Sequence, residues 1–582
     1  MQFTHMKLCS LRSYQAFVAL FSRWLAVWVS CFSLLISTSL YAQKAPDVGA
    51  MEQQIQQGRR IDLPKLLNQP EPAVRSEKTP ATEGFVITVK RFELVGSDLL
   101  TSAQIKSATE PFTNRPIGMT GLQEAADALA SAFRGAGWVV RTYVPEQDFV
   151  DGKVTIRAEV AVLGKIEFQG QKSQRLPLKM IEDVIGKAVQ VGQPIRFDAL
   201  SRALLLADDL VGVTVSGLLR EGEKPGQTDL VLSVADEPAK FGEGAFDNWG
   251  SRSTGATRVS ANFNGNSLFG MGDLTTVSAI TTPGSTYMRL GITLPLGDDG
   301  FRLGANASEM RYRVMTSEFS TYRGEATSAG VDASYPLVRY QRYNLYAKAA
   351  ADIKTLSNYN GDLLNSANTN KVGTIGLTGN LFDSWLGGGA SSGAINYYRG
   401  SIDVNDAALL GTSGAVQRSA GAYSKWRYNV SRQQELSPQL TLFVSGSGQR
   451  ASRNLDSSEK FYLGGSSGVR AYPNSEGGGD NGQMASIELR WRALPGLVVT
   501  GFVDAGRITI NQDNNFVGAS ALNSYHLAGK GMALSWQASR DLILKSSVSQ
   551  RIGRNPNPTA TGNDQDGSLV KNRWWLSATL SF

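Results

Sequence analysis

Ser486-Ile487-Glu488-Leu489-Arg490-Trp491-Arg492 alternates without a break. Ile487, Leu489 and Trp491 fall on one face of an extended chain, and Glu488, Arg490 and Arg492 fall on the other, because successive strand side chains point to opposite sides. Three large apolar groups against three charges suit a half-buried strand of a soluble sandwich. They suit equally a membrane barrel, apolar toward lipid and polar toward the lumen. The next run, Val498 to Asp504, puts Thr500, Phe502 and Asp504 on one face and Val499 and Val503 on the other. An acidic residue ending such a strand wants a cation. Arg470 lies upstream in the Gly-rich segment Gly464-Gly465-Ser466-Ser467-Gly468-Val469-Arg470-Ala471-Tyr472-Pro473, and could reach Asp504 by folding back into a lumen.

The chain of 582 residues exceeds one ordinary domain, and 61 Gly against 20 Pro suits tight turns between strands. After the first 45 residues no apolar run is long enough to cross a bilayer as a helix. A soluble enzyme would share that absence, so the period-2 pattern has to decide. Residues 1–42 read as a secretory signal peptide: Lys7, Arg12 and Arg23 precede or open an apolar stretch from Trp24 to Ile36, and Ser37 to Ala42 leads to a cut after Ala42. Met6 is an alternative start. Both cysteines, Cys9 and Cys31, lie in this leader, so a disulfide framework or thiolate metal site is excluded from the mature chain. His526 is the single histidine beyond it, which rules out a His-His metal site. The formal charge of +7 loses the leader's three cations and leaves +4, too mild to argue for nucleic acid.

Residues 43–84 contain a helix-capable piece near Ala50 to Gln57 and then a polar linker with Pro64, Pro70, Pro72 and Pro80. Residues 85–161 form a compact α+β unit. A strand spans Val86 to Gly96, and two helices follow, opened by capping boxes at Thr101 with Gln104 and Thr120 with Gln123. Leu122, Ala126, Leu129 and Phe133 stack on one face of the second helix, which Gly135 to Gly137 stops. Strands near Val139–Tyr143 and Lys153–Val160 complete the unit. Residues 162–236 repeat the order: a strand at Gly164–Gln169, helices at Leu178–Lys187 and Phe197–Leu206, and strands at Val211–Arg220 and Thr228–Ala235.

In residues 237–582 helical periodicity gives way to about sixteen alternating runs of about ten residues each, the pattern of a transmembrane antiparallel β-barrel. One is Trp426, Tyr428 and Val430 against Lys425, Arg427 and Asn429. Short connections at Pro295–Gly300, Ala493–Gly496 and Ser539–Asp541 belong in the periplasm. Long ones belong outside: Leu356–Asn370, Ser401–Arg418, Arg450–Gly482, Ile508–Leu527 and Ile552–Lys571. On this count the loop 450–482 follows the eleventh strand. The last strand sets Trp574, Leu576, Ala578, Leu580 and Phe582 against Trp575, Ser577, Thr579 and Ser581.

At these residues the chain resembles the BamA-like outer-membrane superfamily, and within it the two-partner secretion transporters (TpsB family). Val469-Arg470-Ala471-Tyr472 resembles the family's Val-Arg-Gly-Tyr/Phe tetrad, with Ala471 departing from the commonest form. Phe502-Val503-Asp504 resembles its Phe-x-Asp motif. Asp247, Asn248 and Gly250, in Phe246-Asp247-Asn248-Trp249-Gly250, are similar to the opening of TpsB barrels. The final strand, with Trp574 and the terminal Phe582, resembles the signal that outer-membrane barrels present to the barrel assembly machinery. The two α+β units look like polypeptide-transport-associated (POTRA) domains, and 43–84 like a plug helix with its tether.

The resemblance implies a mainly β protein, a 16-stranded transmembrane barrel preceded by two small α+β POTRA domains, in the outer membrane of a Gram-negative bacterium with the POTRA pair in the periplasm. It implies export of one large partner, an adhesin or cytolysin bearing an N-terminal secretion domain that the POTRA domains bind unfolded. Outer-membrane lipid is the other contact, and no cofactor, metal or nucleic acid is implied. The alternatives are an assembly insertase of the BamA-like superfamily, disfavoured by only two POTRA units, and a passive porin, which would not carry about 190 soluble residues ahead of its barrel. Gly464–Gly468 lacks the Lys-Ser/Thr and the strand-loop-helix context of a phosphate loop. His526, expected in a long loop, has no nucleophile motif beside it. No catalytic constellation is found. The remaining candidate is the Arg470–Asp504 bridge, which in a lumen partly shielded from water could hold the long loop inward.

Overall fold

The computed structural model describes residues 47–58, 86–149, 151–224, 226–316, 320–405, 418–516 and 519–582. The leader and most of the linker lie outside the described residues. From Lys240 onward, alternation becomes a ladder that closes on itself: sixteen antiparallel strands form a barrel, each paired with its sequence neighbours and the last paired with the first. The first strand (Lys240–Asp247) meets the sixteenth (Asn572–Ser581) over residues 243–247 and 577–581. Ile487, Leu489 and Trp491 face outward, 46–54% exposed, whereas Glu488 is 8% exposed on the inner face. Lys425 is likewise buried inside, with Trp426, Tyr428 and Val430 outside.

The strands are unequal. The sixth (Tyr322–Arg339), seventh (Tyr343–Asn360) and eighth (Leu363–Asp383) run to 18, 18 and 21 residues. The stretch Leu356–Asn370, expected as a long loop, is therefore a strand hairpin turning tightly at Gly361-Asp362. Its Asn, Thr and Ser residues read as loop by composition, yet Asn358, Asn368 and Asn370 are buried on the polar inner face. The loop at 450–482 does follow the eleventh strand (Leu440–Ala451) and precedes the twelfth (Asn481–Leu494).

Each α+β unit lays two helices on a three-stranded sheet with the same topology. In the first, Arg91–Val95 pairs in parallel with Lys153–Val160, which pairs antiparallel with Val140–Tyr143. In the second, Val162–Gln169, Gln227–Asp236 and Val213–Glu221 repeat this. Leu122, Ala126, Leu129 and Phe133 are fully buried in the first core, as their spacing requires. Two details differ from expectation. The strand at 86–96 breaks in two, because Ile87–Thr88 turns aside to pair with Pro116–Ile117. The capping box at Thr101 and Gln104 forms, but the one at Thr120 does not. That helix (Met119–Gly135) starts two residues earlier with Gly118 as its cap, so Thr120 already sits in the first turn.

The second unit abuts the strand turns at one end of the barrel. Arg339 grips Asp209 at 2.7 Å, Lys187 meets Asp298 at 2.5 Å, and Ser267 Oγ donates to the Arg175 carbonyl at 2.9 Å. At the N-terminus, Val48–Gly58 is a helix against inward-facing residues of the fourth (Ser285–Pro295), fifth (Arg302–Arg313), sixth and seventh strands, with Val48 fully buried in a cluster with Tyr287, Met310, Tyr312 and Leu356.

Candidate functional site

Arg470 rides on the returning arm of the loop 452–480 and extends to the wall. Its Nε donates to Asp504 Oδ2 at 2.8 Å and its Nη2 to Asp504 Oδ1 at 2.6 Å, a two-pronged contact. The Arg470 backbone N–H adds a third bond to Asp504 at 3.1 Å. The outer nitrogens also reach Glu488 Oε1 at 2.9 Å and Ser486 Oγ at 3.0 Å. Alternation explains why these acceptors converge: Ser486 and Glu488 on the twelfth strand and Phe502 and Asp504 on the thirteenth (Leu497–Thr509) all face inward, and Ser486 pairs with Asp504 in register. The Phe502 ring lies under the guanidinium, 3.4 Å from its carbon to the centroid, adding a cation–π contact. Asp504 is 1% exposed and Arg470 12%. Losing either partner would strand a buried charge, which costs about 3–5 kcal/mol.

The rest of the tetrad locks the arm. Val469, Ala471 and Tyr472 are fully buried. Ala471 is accommodated because Gly529 stands opposite on the fourteenth strand (Ser524–Gln537): a Cβ built at Gly529 would collide with the Ala471 methyl. Tyr472 lies beneath Arg551, 4.9 Å from its guanidinium carbon. The Arg470 carbonyl accepts from Trp575 Nε1 at 2.7 Å and Ser549 Oγ at 2.7 Å, so the sixteenth strand also holds the arm. Alternation sets Trp575 on the face opposite Trp574, but nothing local marks its partner.

The outgoing arm carries a second tie that the sequence did not disclose. Glu459 sits between two wall lysines. Lys425 on the tenth strand (Gly421–Ser437) bonds its carboxylate and donates to its carbonyl at 2.8 Å, and Lys354 on the seventh lies 3.4 Å away. Asn370 Nδ2 donates to Glu459 Oε1 at 2.7 Å, and Gln449 Nε2 to its carbonyl at 2.9 Å. The N-terminal helix leans on this arm. Gln57 Nε2 donates to the Tyr462 carbonyl at 2.7 Å while its Oε1 accepts from Tyr462 N at 3.2 Å. Asp47 accepts from Ser457 Oγ, and Lys354 touches Gln56 at 3.4 Å. A cavity of about 400 Å³ separates the helix, the loop tip Gly464–Gly468 and the first three strands.

The other motifs gather at the seam. Asp247 binds Arg258 at 3.0 Å and caps Trp249 N at 2.9 Å. Asn248 extends the first-to-last ladder with its side chain, Nδ2 donating to the Trp574 carbonyl at 3.0 Å and Oδ1 accepting from Leu576 N at 2.9 Å. Gly250 N donates to the Ala256 carbonyl at 2.8 Å, and the loop's Asn474 reaches the Trp249 carbonyl. Trp574 and Phe582 face outward, and Phe582, at the far end of the strand, is not part of the luminal cluster. His526 is on the fourteenth strand, not in a loop, paired in register with Arg507 and exposed. The strand begins at Ser524, earlier than its polar start indicates. Among the described residues, no group of three His, Cys, Asp or Glu side chains could hold a metal.

Residues 226–534 match the family model described as haemolysin secretion/activation protein ShlB/FhaC/HecB, and residues 87–159 match the ShlB-type POTRA domain. The heme/hemopexin transporter protein HuxB of Haemophilus influenzae (strain 86-028NP) is 22% identical over 568 residues, 94% of this chain and 97% of that protein. Among solved structures, CdiB from Escherichia coli superposes with a TM-score of 0.67 at 20% identity, covering 94% of this chain and 100% of that one. BamA from Haemophilus ducreyi lacking POTRA domains 1–3 gives 0.52 at 15% identity, over 86% and 100% of the two chains. These structural likenesses speak for the fold.

Proposed function

The chain belongs to the haemolysin secretion/activation (ShlB/FhaC/HecB) family, and from that premise we propose that its barrel exports one large partner protein across the outer membrane. It is an outer-membrane transporter of two-partner secretion, with its POTRA domains in the periplasm. The observation that carries the reading is the joining of a ShlB-type POTRA domain to a closed barrel of sixteen strands whose lumen holds a tied loop. Residues 85–161 and 162–236 are the POTRA pair, 237–582 the barrel, and 43–84 a plug helix with its tether. The POTRA domains take the partner's N-terminal secretion domain while it is unfolded, and a free sheet edge can add an extended segment as a further strand through backbone hydrogen bonds. The partner then threads the barrel, and folding outside makes passage irreversible without nucleotide. The Val469–Tyr472 tetrad with Phe502 and Asp504 keeps the loop positioned for that passage. Asp247, Asn248 and Gly250 shape the seam, and Trp574 and Phe582 present the final strand to the assembly machinery.

Deleting residues 85–236 tests this reading. The remaining barrel is expected to insert, as judged by heat-modifiable migration, and to export nothing. A purified full-length chain is expected to retain a periplasmic secretion domain in a pulldown. Undiminished secretion from the deletion would overturn the POTRA assignment.

A further inference from the structure

Leu268, Phe269 and Met271 are 40%, 63% and 50% exposed, yet they stand on a turn built to hold them still. The turn joins the second strand (Arg258–Asn266) to the third (Leu274–Thr282). Asp273, fully buried, accepts from the backbone of Leu268 and of Phe269, each at 3.0 Å. Gly272 N donates to Ser267 Oγ at 3.1 Å, and Ser267 N to the Asp273 carbonyl at 2.7 Å. Gly270 and Gly272 take positive φ of 72° and 70°, which a side chain would resist. An ordinary solvated turn has no use for three large apolar groups on so fixed a backbone.

Their direction is set by Gly265. A Cβ built there would run into the Leu268 side chain, and Gly265 shares its strand face with Val259, which is 50% exposed on the outside of the barrel. Leu268 therefore folds over the lipid-facing side, and the turn continues that surface beyond the strand ends. The barrel is shortest here: the first three strands have 8, 9 and 9 residues, against 18 to 21 in the sixth to eighth. The same turn also seats the second POTRA domain, through the bond from Ser267 Oγ to the Arg175 carbonyl and the Leu176 side chain near Gly272.

We propose that the turn 267–273 is a membrane foot: Leu268, Phe269 and Met271 lie in the boundary between acyl chains and headgroups of the periplasmic leaflet and hold the second POTRA domain in a fixed stance against the bilayer. Lipid is the occupant because Leu268 lies over the lipid-facing strand surface at Gly265, and Phe269 and Met271 stand exposed beside it on the same fixed turn. The proposal rests on the outer-membrane reading with the POTRA domains in the periplasm.

Beyond Cys9 and Cys31 the chain has no cysteine, so single labels can be placed cleanly. Phe269→Cys and Met271→Cys, each carrying an environment-sensitive fluorophore, are reconstituted in vesicles of phospholipid with or without acyl-chain bromination. Val259→Cys on the outer barrel face and Leu218→Cys in the second POTRA domain bracket the response. Blue-shifted emission from both turn labels, with quenching close to that at position 259 and well above that at 218, is expected. Water-like, unquenched emission at the turn beside a quenched label at 259 would overturn the foot and leave the barrel reading intact. An unquenched label at 259 would overturn the membrane reading itself. Emission that shifts only when a secretion domain is added would assign the turn to polypeptide and also end the proposal.

Discussion

The loop between the eleventh and twelfth strands is tied to the wall on both of its arms, and the charges of the two ties are reversed. On the returning arm the loop supplies the cation, Arg470, and the wall supplies the acids, Asp504 and Glu488. On the outgoing arm the loop supplies the acid, Glu459, and the wall supplies Lys425 and Lys354. A guanidinium is a planar fork that fixes angle as well as distance, whereas ammonium groups act as point charges around a carboxylate. The first tie therefore sets the arm's register on the twelfth and thirteenth strands. The second gathers the seventh, eighth, tenth and eleventh strands and also carries the N-terminal helix through Gln57 and Tyr462. One tie holds position, and the other couples the loop to the helix.

The largest effect should come from breaking the returning arm. Arg470→Ala and Asp504→Ala are each expected to lower secretion by about tenfold or more, since each strands a buried charge. The double variant is expected to be little worse than either single one, because a contact already lost cannot be broken twice. Arg470→Lys should restore only part of the activity, having one point charge where two prongs are needed. Secretion is measured against inserted barrel, scored by heat-modifiable migration. Strictly additive defects would mean the two residues act independently.

A smaller and different effect is expected on the outgoing arm. Glu459→Gln leaves Lys425 and Lys354 without their shared anion, so the arm and the helix resting on it should loosen together. Ion conductance in planar bilayers should rise several-fold toward that of a chain lacking residues 47–58, with secretion reduced less than by Arg470→Ala. Because the two ties share no partner, the Glu459 and Arg470 defects should add. A conductance unchanged by Glu459→Gln but raised by the helix deletion would show that the helix is held by its own wall contacts, such as Val48 N to Asn358 Oδ1 at 3.0 Å.

The two ties also differ in how far they could be read beforehand. Asp504 announced itself as an acid on an alternating strand, and Arg470 stood in a Gly-rich segment just upstream, so their meeting was legible from face and motif. Glu459 lies 34 residues from Lys425 and 105 from Lys354, and neither lysine sits in a pattern that names a partner. Alternation sets Lys425 on the face opposite Trp426, but a lumen lined with polar groups offers too many partners for spacing to choose one. Asn370 was hidden differently, at the end of a hairpin whose luminal Asn residues imitate a loop. Period-2 alternation thus conveys which face a side chain takes. It does not convey how far a strand runs once both its ends are polar, or which distant arm of a loop comes to rest against it.

A further carboxylate, on the loop like Glu459, sharpens the contrast, because it is held by amides. Glu476 is fully buried, accepting from Asn555 Nδ2 at 3.0 Å and from Gln565 N at 2.8 Å, both on the loop 552–571. Burial pushes its carboxyl up to about 7 from an ordinary 4.5, against the pull of those two donors. The packed loop therefore binds a proton that the free loop has already lost, and packing must weaken as pH rises from about 4.5 through about 7. The span corresponds to an upper bound of roughly 3.5 kcal/mol, at about 1.4 kcal/mol per unit. Glu476→Gln keeps an acceptor and removes the ionisation. The midpoint of heat-modifiable migration is expected to be a few degrees higher at pH 5 than at pH 8 in the parent, with the gap narrowed in the variant by a gain at pH 8. Glu459 has two lysines against it, so a conservative amide there should do the opposite and lose stability at pH 8. An undiminished pH gap in Glu476→Gln would place the titrating group elsewhere, and Glu476 would then be one more neutral contact between two outer loops.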